Sequence, residues 1–160
     1  MGSAGATPEE LAGLEARLGT VLPPSYRGFL RTSNGWLDTT TAIRRLLPVP
    51  EIGWAKDLDP ELIEGWSGSG EPNDVPDEDY YAYGDEQQPC TIRTEYLNDM
   101  LKISHAPDAS DVYLLNPRVV TPDGEWEAWY FAHWLPGAVR YRSFWDLMND
   151  EYHNFRGDQG

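Results

Sequence analysis

The sequence of 160 residues contains a single cysteine, Cys90, and no long hydrophobic run. One cysteine excludes an internal disulfide, and it is typical of proteins in a reducing compartment. The N-terminus lacks the basic and then apolar pattern of a secretory signal, and no apolar run approaches the roughly 20 residues that a membrane span needs. We therefore expect a cytoplasmic protein without a membrane-spanning segment.

Basic residues are scarce. The chain has 12 Lys and Arg against 27 Asp and Glu, a net charge of −15 and a sequence pI near 4.3. Residues 57–92 hold 11 acids and no Lys or Arg, so this segment carries most of the imbalance. Such a surface repels nucleic-acid phosphates and anionic lipids and attracts basic proteins. The expected partner is a basic protein, with no nucleic-acid or membrane binding.

Motifs for catalysis, metal binding and cofactor binding are also missing. No activating motif surrounds Cys90, so a structural thiol is favoured over a nucleophile. The spacing of His105, His133 and His153 matches no metal-ligand pattern, and the acidic stretch 74–86 does not fit the EF-hand template. No glycine-rich phosphate loop is present. We expect no enzymatic activity, no metal and no cofactor; an enzyme that uses Cys90 or a carboxylate pair stays an alternative, and a Cys90→Ser variant would test its thiol version.

Length and composition predict one domain over residues 1–160. Apolar residues make up 40% and aromatic residues 12%, enough for a core. Residues 1–6 are expected to be disordered. Residues 67–79, which are rich in Gly, Ser, Pro and acids, are expected to form an acidic flexible loop.

Two amphipathic helices are predicted near the N-terminus. Thr7 is the predicted N-cap of the first, with Pro8 and Glu10 completing the signal and Gly19 ending the helix. Its inner stripe is Leu11, Leu14 and Leu18. Pro23-Pro24 begin the second helix, with Asn34-Gly35 as its C-cap. The inner stripe of this second helix is Tyr26, Phe29, Leu30 and Ser33.

The remainder of the chain is predicted to be rich in strands. The strand candidates are residues 43–49, 79–83, 101–104, 111–115, 125–134 and 139–142. Helical turns are expected at 51–56 and 60–66, and a turn at 121–124. Ser143 is the predicted N-cap of a final helix, with Asp146 as its box partner. Its stripe is Phe144, Leu147, Met148, Tyr152 and Phe155.

The seven tryptophans divide into two groups. Those on periodic elements are expected to pack in the core: Trp126, Trp129, Trp134 and Trp145. The strand 125–134 has large apolar groups on both faces, so it is predicted to be central and covered on both sides. Trp36, Trp54 and Trp66 adjoin helix ends or loops and acidic residues. For these three, core packing and a role as interface anchors both stay open.

Several sequence blocks, in a specific order and spacing, resemble one known family. They are residues 18–30 (LGTVLPPSYRGFL), 32–36 (TSNGW), 46–49 (LLPV), 51–54 (EIGW), 115–117 (LNP), 124–129 (GEWEAW), 134–137 (WLPG) and 143–144 (SF). Together they extend from about Leu11 to Tyr152. This pattern is similar to the SUKH superfamily, which includes fungal regulators of cell-wall synthesis and many bacterial toxin-immunity proteins.

The resemblance implies an α+β fold: a single domain with a curved antiparallel β-sheet and helices packed around it. It also implies a non-enzymatic binding module, expected to be a cytoplasmic immunity protein that neutralises a toxin, in many cases a nuclease with a basic surface. A regulatory or scaffold domain that binds an endogenous partner is the alternative. The matching positions are explained by fold, and they do not identify the binding face.

The acidic and tryptophan-flanked region is therefore the predicted partner-binding surface. Its charge and loop composition distinguish it from its surroundings, and an acidic surface steers a basic partner. The predicted partner-binding residues are Trp36, Asp38, Trp66, Glu71, Asp74, Asp77, Glu78 and Asp79.

Overall fold

The computed structural model describes residues 5–33, 36–37, 45–58, 60–61, 76–81, 83, 94–105, 112–131 and 138–150. The first helix, α1 (Pro8–Leu18), has the predicted signals at both ends. The Glu10 amide donates to Thr7 Oγ1 and the Thr7 amide donates to Glu10 Oε1, both at 3.1 Å. Gly19 has φ 76°, a left-handed conformation that glycine adopts without strain. The three leucines of α1, Leu11, Leu14 and Leu18, are buried, as predicted.

The second helix, α2 (Pro24–Thr32), begins where predicted but ends earlier. Ser33 is its C-cap and is already extended, with φ −147°, and its amide donates to the Phe29 carbonyl. The prediction that Asn34-Gly35 form the C-cap is wrong, because the chain turns extended at Ser33 to enter strand β1 (Trp36–Leu37). Ala6, within the stretch expected to be disordered, is buried, and its amide donates to the Leu30 carbonyl at 2.7 Å.

Two antiparallel sheets follow. β1, β2 (Arg45–Leu46) and β5 (Ser104–His105) form a three-stranded sheet in the order β1-β2-β5. The larger sheet has the order β3-β4-β6-β7-β8. Its strands are β3 (Gly53–Trp54), β4 (Leu101–Lys102), β6 (Val112–Val120), β7 (Trp126–Phe131) and β8 (Ala138–Tyr141). Together with the helices, this five-stranded sheet confirms the expected α+β fold.

Short helical segments connect and cover the strands. They are the 3₁₀ turns Val49–Glu51 and Thr94–Asp99, helix α3 (Ala55–Leu58), the helical turn Asp77–Tyr80 and a C-terminal helix over residues 144–150. The Asp146 amide donates to Ser143 Oγ at 3.0 Å, which confirms Ser143 as an N-cap. In the described ranges, no helix combines the length and the apolar character that a membrane crossing requires.

Three secondary-structure predictions need correction. Asp77–Tyr80 is helical and not part of a strand 79–83, because Pro76 and the acids that follow it favour a helix start over the β-propensity of the tyrosines. Gly53–Trp54 is a strand rather than a helical turn, because it pairs with β4. Only Arg45–Leu46 of the predicted strand 43–49 is a strand, and residues 43 and 44 lie outside the described residues.

Strand β7 is covered on both faces, as predicted. On one face Trp126 and Ala128 join the main core, formed with the leucines of α1, Tyr26 and Leu30 of α2, and Phe144 and Leu147 of the C-terminal helix. On the other face Trp129 packs in a smaller cluster with α3 and the 3₁₀ turn Thr94–Asp99. Residues 132–134 of the predicted strand lie outside the described residues.

The hairpin between β6 and β7 contains an irregularity. The register shifts between Asn116 and Val120, a stretch that includes Pro117, which has no amide hydrogen to donate to a sheet ladder. The chain then turns at residues 121–124, where Gly124 has φ 88°. Before the irregularity Asn116 pairs with Glu127 of β7, so the alternation of the two strands places both residues on the face of the sheet that carries Trp129.

Candidate functional site

The predicted partner-binding residues are only partly described. Asp77 and Glu78 are exposed on the helical turn Asp77–Tyr80, and Asp79 continues that turn. Trp36 lies in β1. The other four lie outside the described residues: Asp38, Trp66, Glu71 and Asp74. Asp77, Glu78 and Asp79 are consecutive residues of one element, residues 76–81, which we call the acidic turn.

Tyr83 connects the acidic turn to the large sheet. Its hydroxyl donates to Glu127 Oε2 at 2.5 Å. Its ring lies against two guanidinium groups, with the ring centroid 5.5 Å from Arg140 Cζ and 5.1 Å from Arg142 Cζ. These contacts place Tyr83 on the face of the large sheet that carries Glu127 and Arg140.

The pKa of Tyr83 lies well above its ordinary value. Burial is the first cause, and the negative charge of Glu127 and the hydrogen bond to it raise the pKa further, with Arg140 opposing. The phenol therefore stays protonated throughout the physiological range and acts as a permanent hydrogen-bond donor.

Glu127 and Arg140 form a fully buried ion pair between β7 and β8. Arg140 Nη1 lies 3.8 Å from Glu127 Oε2, and neither side chain is exposed. Glu127 Oε1 accepts two further hydrogen bonds, from Trp129 Nε1 at 2.6 Å and from Asn116 Nδ2 at 3.2 Å. Asn116 Oδ1 accepts from the Arg118 amide at 2.9 Å, so the bulge in β6 is tied to the same cluster. We call these five side chains the Glu127 network: Tyr83, Asn116, Glu127, Trp129 and Arg140.

The Glu127 network has the properties of an anchor. Both carboxylate oxygens accept hydrogen bonds, and the carboxylate has no contact with solvent, so a substrate cannot approach it in this conformation. The ring contacts of Tyr83 with two arginines are cation–π interactions, which strengthen when water is excluded. No group of three or more potential metal ligands occurs within the residues that the structure describes.

The sequence interpretation did not identify the Glu127 network. A usable signal was present, because the alternation of the predicted strand 125–134 places Glu127 on the same covered face as Trp129. A buried carboxylate requires a cation or several donors. Arg140, on the next predicted strand, is a candidate that this argument would have reached. Tyr83 carried no such signal, because its contact with Glu127 depends on the tertiary structure.

The tryptophans differ from expectation at one position. Trp126 and Trp129 are buried, as predicted, and Trp134 lies outside the described residues. Trp145 was expected in the core, but it is 66% exposed. Its neighbours Phe144 and Leu147 take the inner face of the C-terminal helix, which turns Trp145 outward. Trp54, for which both interpretations stayed open, is half-buried against the main core.

These features, an antiparallel sheet with N-terminal helices and a C-terminal helix packed on one face, are those expected of a SUKH protein. The model of the SMI1 / KNR4 family (SUKH-1) matches residues 5–150, nearly the whole chain. The chain belongs to this family. No individual curated protein matches it significantly. Family membership is consistent with immunity or regulatory roles.

Proposed function

We propose that this protein is an immunity protein that binds and neutralises a basic toxin domain. The proposal is supported by the family membership and by the net charge of −15. The observation that carries it is the acidic turn, on which Asp77 and Glu78 are exposed a few residues before Tyr83, whose hydroxyl is bonded to Glu127 of the sheet. Anchored acids present a fixed negative potential, which accelerates the association of a basic partner.

The proposed mechanism is occlusion. A toxin that acts on nucleic acid has a basic substrate-binding surface, and an acidic protein that covers this surface blocks access of the substrate. This mechanism needs no cofactor and no catalytic residue in the immunity protein, and it operates in the cytoplasm. The partner is a protein, since the same charge repels nucleic acids and anionic membranes.

The first experiment is co-expression with toxin domains encoded beside the gene of this protein. Growth rescue by the immunity protein, with a stable complex of the two purified proteins, would support the proposal. A complex with a cellular regulator, without rescue from any of these toxins, would favour the regulatory alternative and overturn the immunity function.

The second experiment tests the role of the acidic turn. A triple variant, D77N/E78Q/D79N, removes three charges from the turn, and a matched variant, E9Q/D57N/E61Q, removes three exposed charges elsewhere. Both have the same net charge. We expect the first variant to associate with the toxin about tenfold more slowly at low salt and to lose most of its salt dependence, with a much smaller effect in the second. Equal association rates for the two variants would show that the turn is not the steering element.

A further inference from the structure

Among the tryptophans of the described ranges, Trp145 is the one that was expected in the core and is exposed. It follows the buried Phe144 in the first turn of the C-terminal helix, and it is 66% exposed. A large aromatic side chain at the surface is a common energetic centre of protein interfaces. Within the described part of the C-terminal helix, Phe144 and Leu147 supply the buried face, and Trp145 is not part of it.

The backbone at Trp145 is held where the C-terminal helix meets the start of α2 and the residue that precedes β7. Its amide donates to Ser25 Oγ at 3.3 Å, at the start of α2. Ser25 Oγ donates in turn to Glu125 Oε1 at 3.0 Å, and the Ser25 amide lies 3.2 Å from both Glu125 oxygens. Glu125 begins the strand segment that leads into β7. The backbone of Trp145 is therefore fixed at a junction of two helix starts and a hairpin before any partner binds, so binding does not have to order this part of the chain.

Acidic and apolar residues adjoin this junction along the chain. Asp146 adjoins Trp145 and is exposed, and Asp123 is exposed on the β6–β7 turn. That turn contacts the start of α2, since a Cβ on Gly124 would lie 3.8 Å from Pro24 Cδ. Pro24 and Pro122 are also exposed. We call this set the Trp145 surface: Pro24, Pro122, Asp123, Glu125, Trp145 and Asp146.

The basic side chains closest along the chain are directed to other partners. The guanidinium of Arg142 lies over the ring of Tyr83, and Arg27 Nε lies 3.5 Å from Glu15 Oε2. The charged side chains of the Trp145 surface are thus all acidic. This combination of an exposed indole with acids at its rim fits an apolar pocket bordered by lysine or arginine.

We propose that the Trp145 surface is the affinity-determining contact for a basic protein partner, with the indole inserted in an apolar pocket and Asp123 and Asp146 facing its basic rim. This inference deepens the proposed function, because it assigns steering to the acidic turn and retention to Trp145. Steering changes the association rate, whereas loss of a central aromatic contact changes the dissociation rate. A second copy of this chain is disfavoured as the occupant by the like charge of the two surfaces.

The test uses the intact protein and a library of short cyclic peptides displayed on phage as the probe. We expect selection at low salt to enrich peptides that carry lysine or arginine beside an aromatic or aliphatic residue. These peptides should bind the W145A variant at least about tenfold more weakly and D123N/D146N several-fold more weakly. The control variant V21A, which shortens another exposed apolar side chain, should bind as the wild type does.

The outcomes separate this inference from the proposed function. Peptides that bind W145A as tightly as the wild type, or that lack an excess of basic residues, would overturn the inference. A change in oligomeric state caused by W145A, measured by light scattering, would assign the surface to self-association and would also overturn it. Because the selection needs no toxin, the Trp145 surface can be confirmed even if co-expression shows no neutralisation. Conversely, neutralisation of a toxin together with peptides that bind W145A normally would support the proposed function and overturn the role of Trp145.

Discussion

Tyr26 lies in α2 with 1% of its surface exposed, between the rings of Phe29 and Phe144 at centroid distances of 6.4 and 5.0 Å. Its hydroxyl meets no hydrogen-bond partner within the described part of the chain. Burial raises the pKa of Tyr26 well above its ordinary value. A buried hydroxyl without a partner loses its hydration without compensation, which opposes folding.

We predict that Tyr26→Phe leaves stability at neutral pH unchanged or raises it by up to about 1 kcal/mol. The unfolded phenol titrates near pH 10, and the folded pKa is higher. The stabilisation linked to the neutral phenol is therefore complete below about pH 10 and is lost as the pH rises toward the folded pKa. In that window the titration of Tyr26 lowers the free energy of unfolding of the wild type by about 1.4 kcal/mol for each pH unit. The Tyr26→Phe variant has no phenol and lacks this pH dependence.

Urea unfolding at neutral pH and at several alkaline pH values measures both effects. Tyr141→Phe is the control, because the Tyr141 hydroxyl donates to Asp150 Oδ2 at an exposed site. This control should lose a few tenths of a kcal/mol to about 1 kcal/mol at neutral pH. A loss of 2 kcal/mol or more in Tyr26→Phe, on the order of a broken buried hydrogen bond, would contradict the prediction.

Glu127 is a residue at which charge and burial are inseparable. We predict that Glu127→Gln costs about 3–5 kcal/mol, because it leaves the buried guanidinium of Arg140 without its counter-charge and turns an amide toward the Tyr83 hydroxyl. The exposed Glu61→Gln is the matched control and should change stability by less than about 0.5 kcal/mol. Equal unfolding midpoints for the two variants would show that the ion pair does not stabilise the fold.

At the scale of elements, the acidic turn is too short to be stable alone. The turn has only four helical residues, and its end is closed by a backbone hydrogen bond from the Tyr81 amide to the Asp77 carbonyl at 2.8 Å. Isolated helices of this length do not persist in water, so the order of the turn must come from tertiary contacts. Tyr83, two residues after the turn, supplies such a contact through Glu127.

We predict that Tyr83→Phe speeds hydrogen exchange at the Tyr81 amide by about tenfold or more and destabilises the protein by about 1–3 kcal/mol, because Glu127 loses one buried donor. Exchange measured by NMR separates the two effects, since local opening changes residues 76–81 before the core. Tyr81→Phe is the control on the same turn. Exchange that changes equally in the turn and in β7 would indicate global destabilisation and not a local anchor.

At the scale of the whole molecule, the charge of −15 opposes the compact state through self-repulsion. We predict that raising the ionic strength from low to physiological values raises the free energy of unfolding by on the order of 1 kcal/mol, measured as a higher urea midpoint, since salt screens the repulsion between exposed charges that lie more than about 10 Å apart. The slope of the free energy against urea should stay constant. A midpoint that falls with salt would mean that exposed ion pairs, such as Arg118 with Asp99 at 3.2 Å, outweigh the repulsion.

Local signals predicted the helical parts of the fold well. The capping box of Thr7 and Glu10, the leucine spacing of α1 and the cap at Ser143 depend on residues within one turn, so they can be identified without tertiary information. Where a segment pairs with a distant strand, as Gly53–Trp54 does with β4, local propensity was a poor guide. The same division holds for the candidate site. The acids of the acidic turn could be identified from the sequence, whereas the contact of Tyr83 with Glu127 that anchors the neighbouring chain could not.

The sequence by itself determined the family, the excess of negative charge, the starts of α1, α2 and the C-terminal helix, and the coverage of β7 on both faces, because each depends on composition, motif order or short-range periodicity. The tertiary structure alone decided that Tyr83 meets Glu127, that Arg140 neutralises it and that Trp145 faces solvent. These contacts join residues from different elements, and their formation depends on strand register and helix docking. The energy of burying a charge or exposing an indole is set by those neighbours and not by the local sequence.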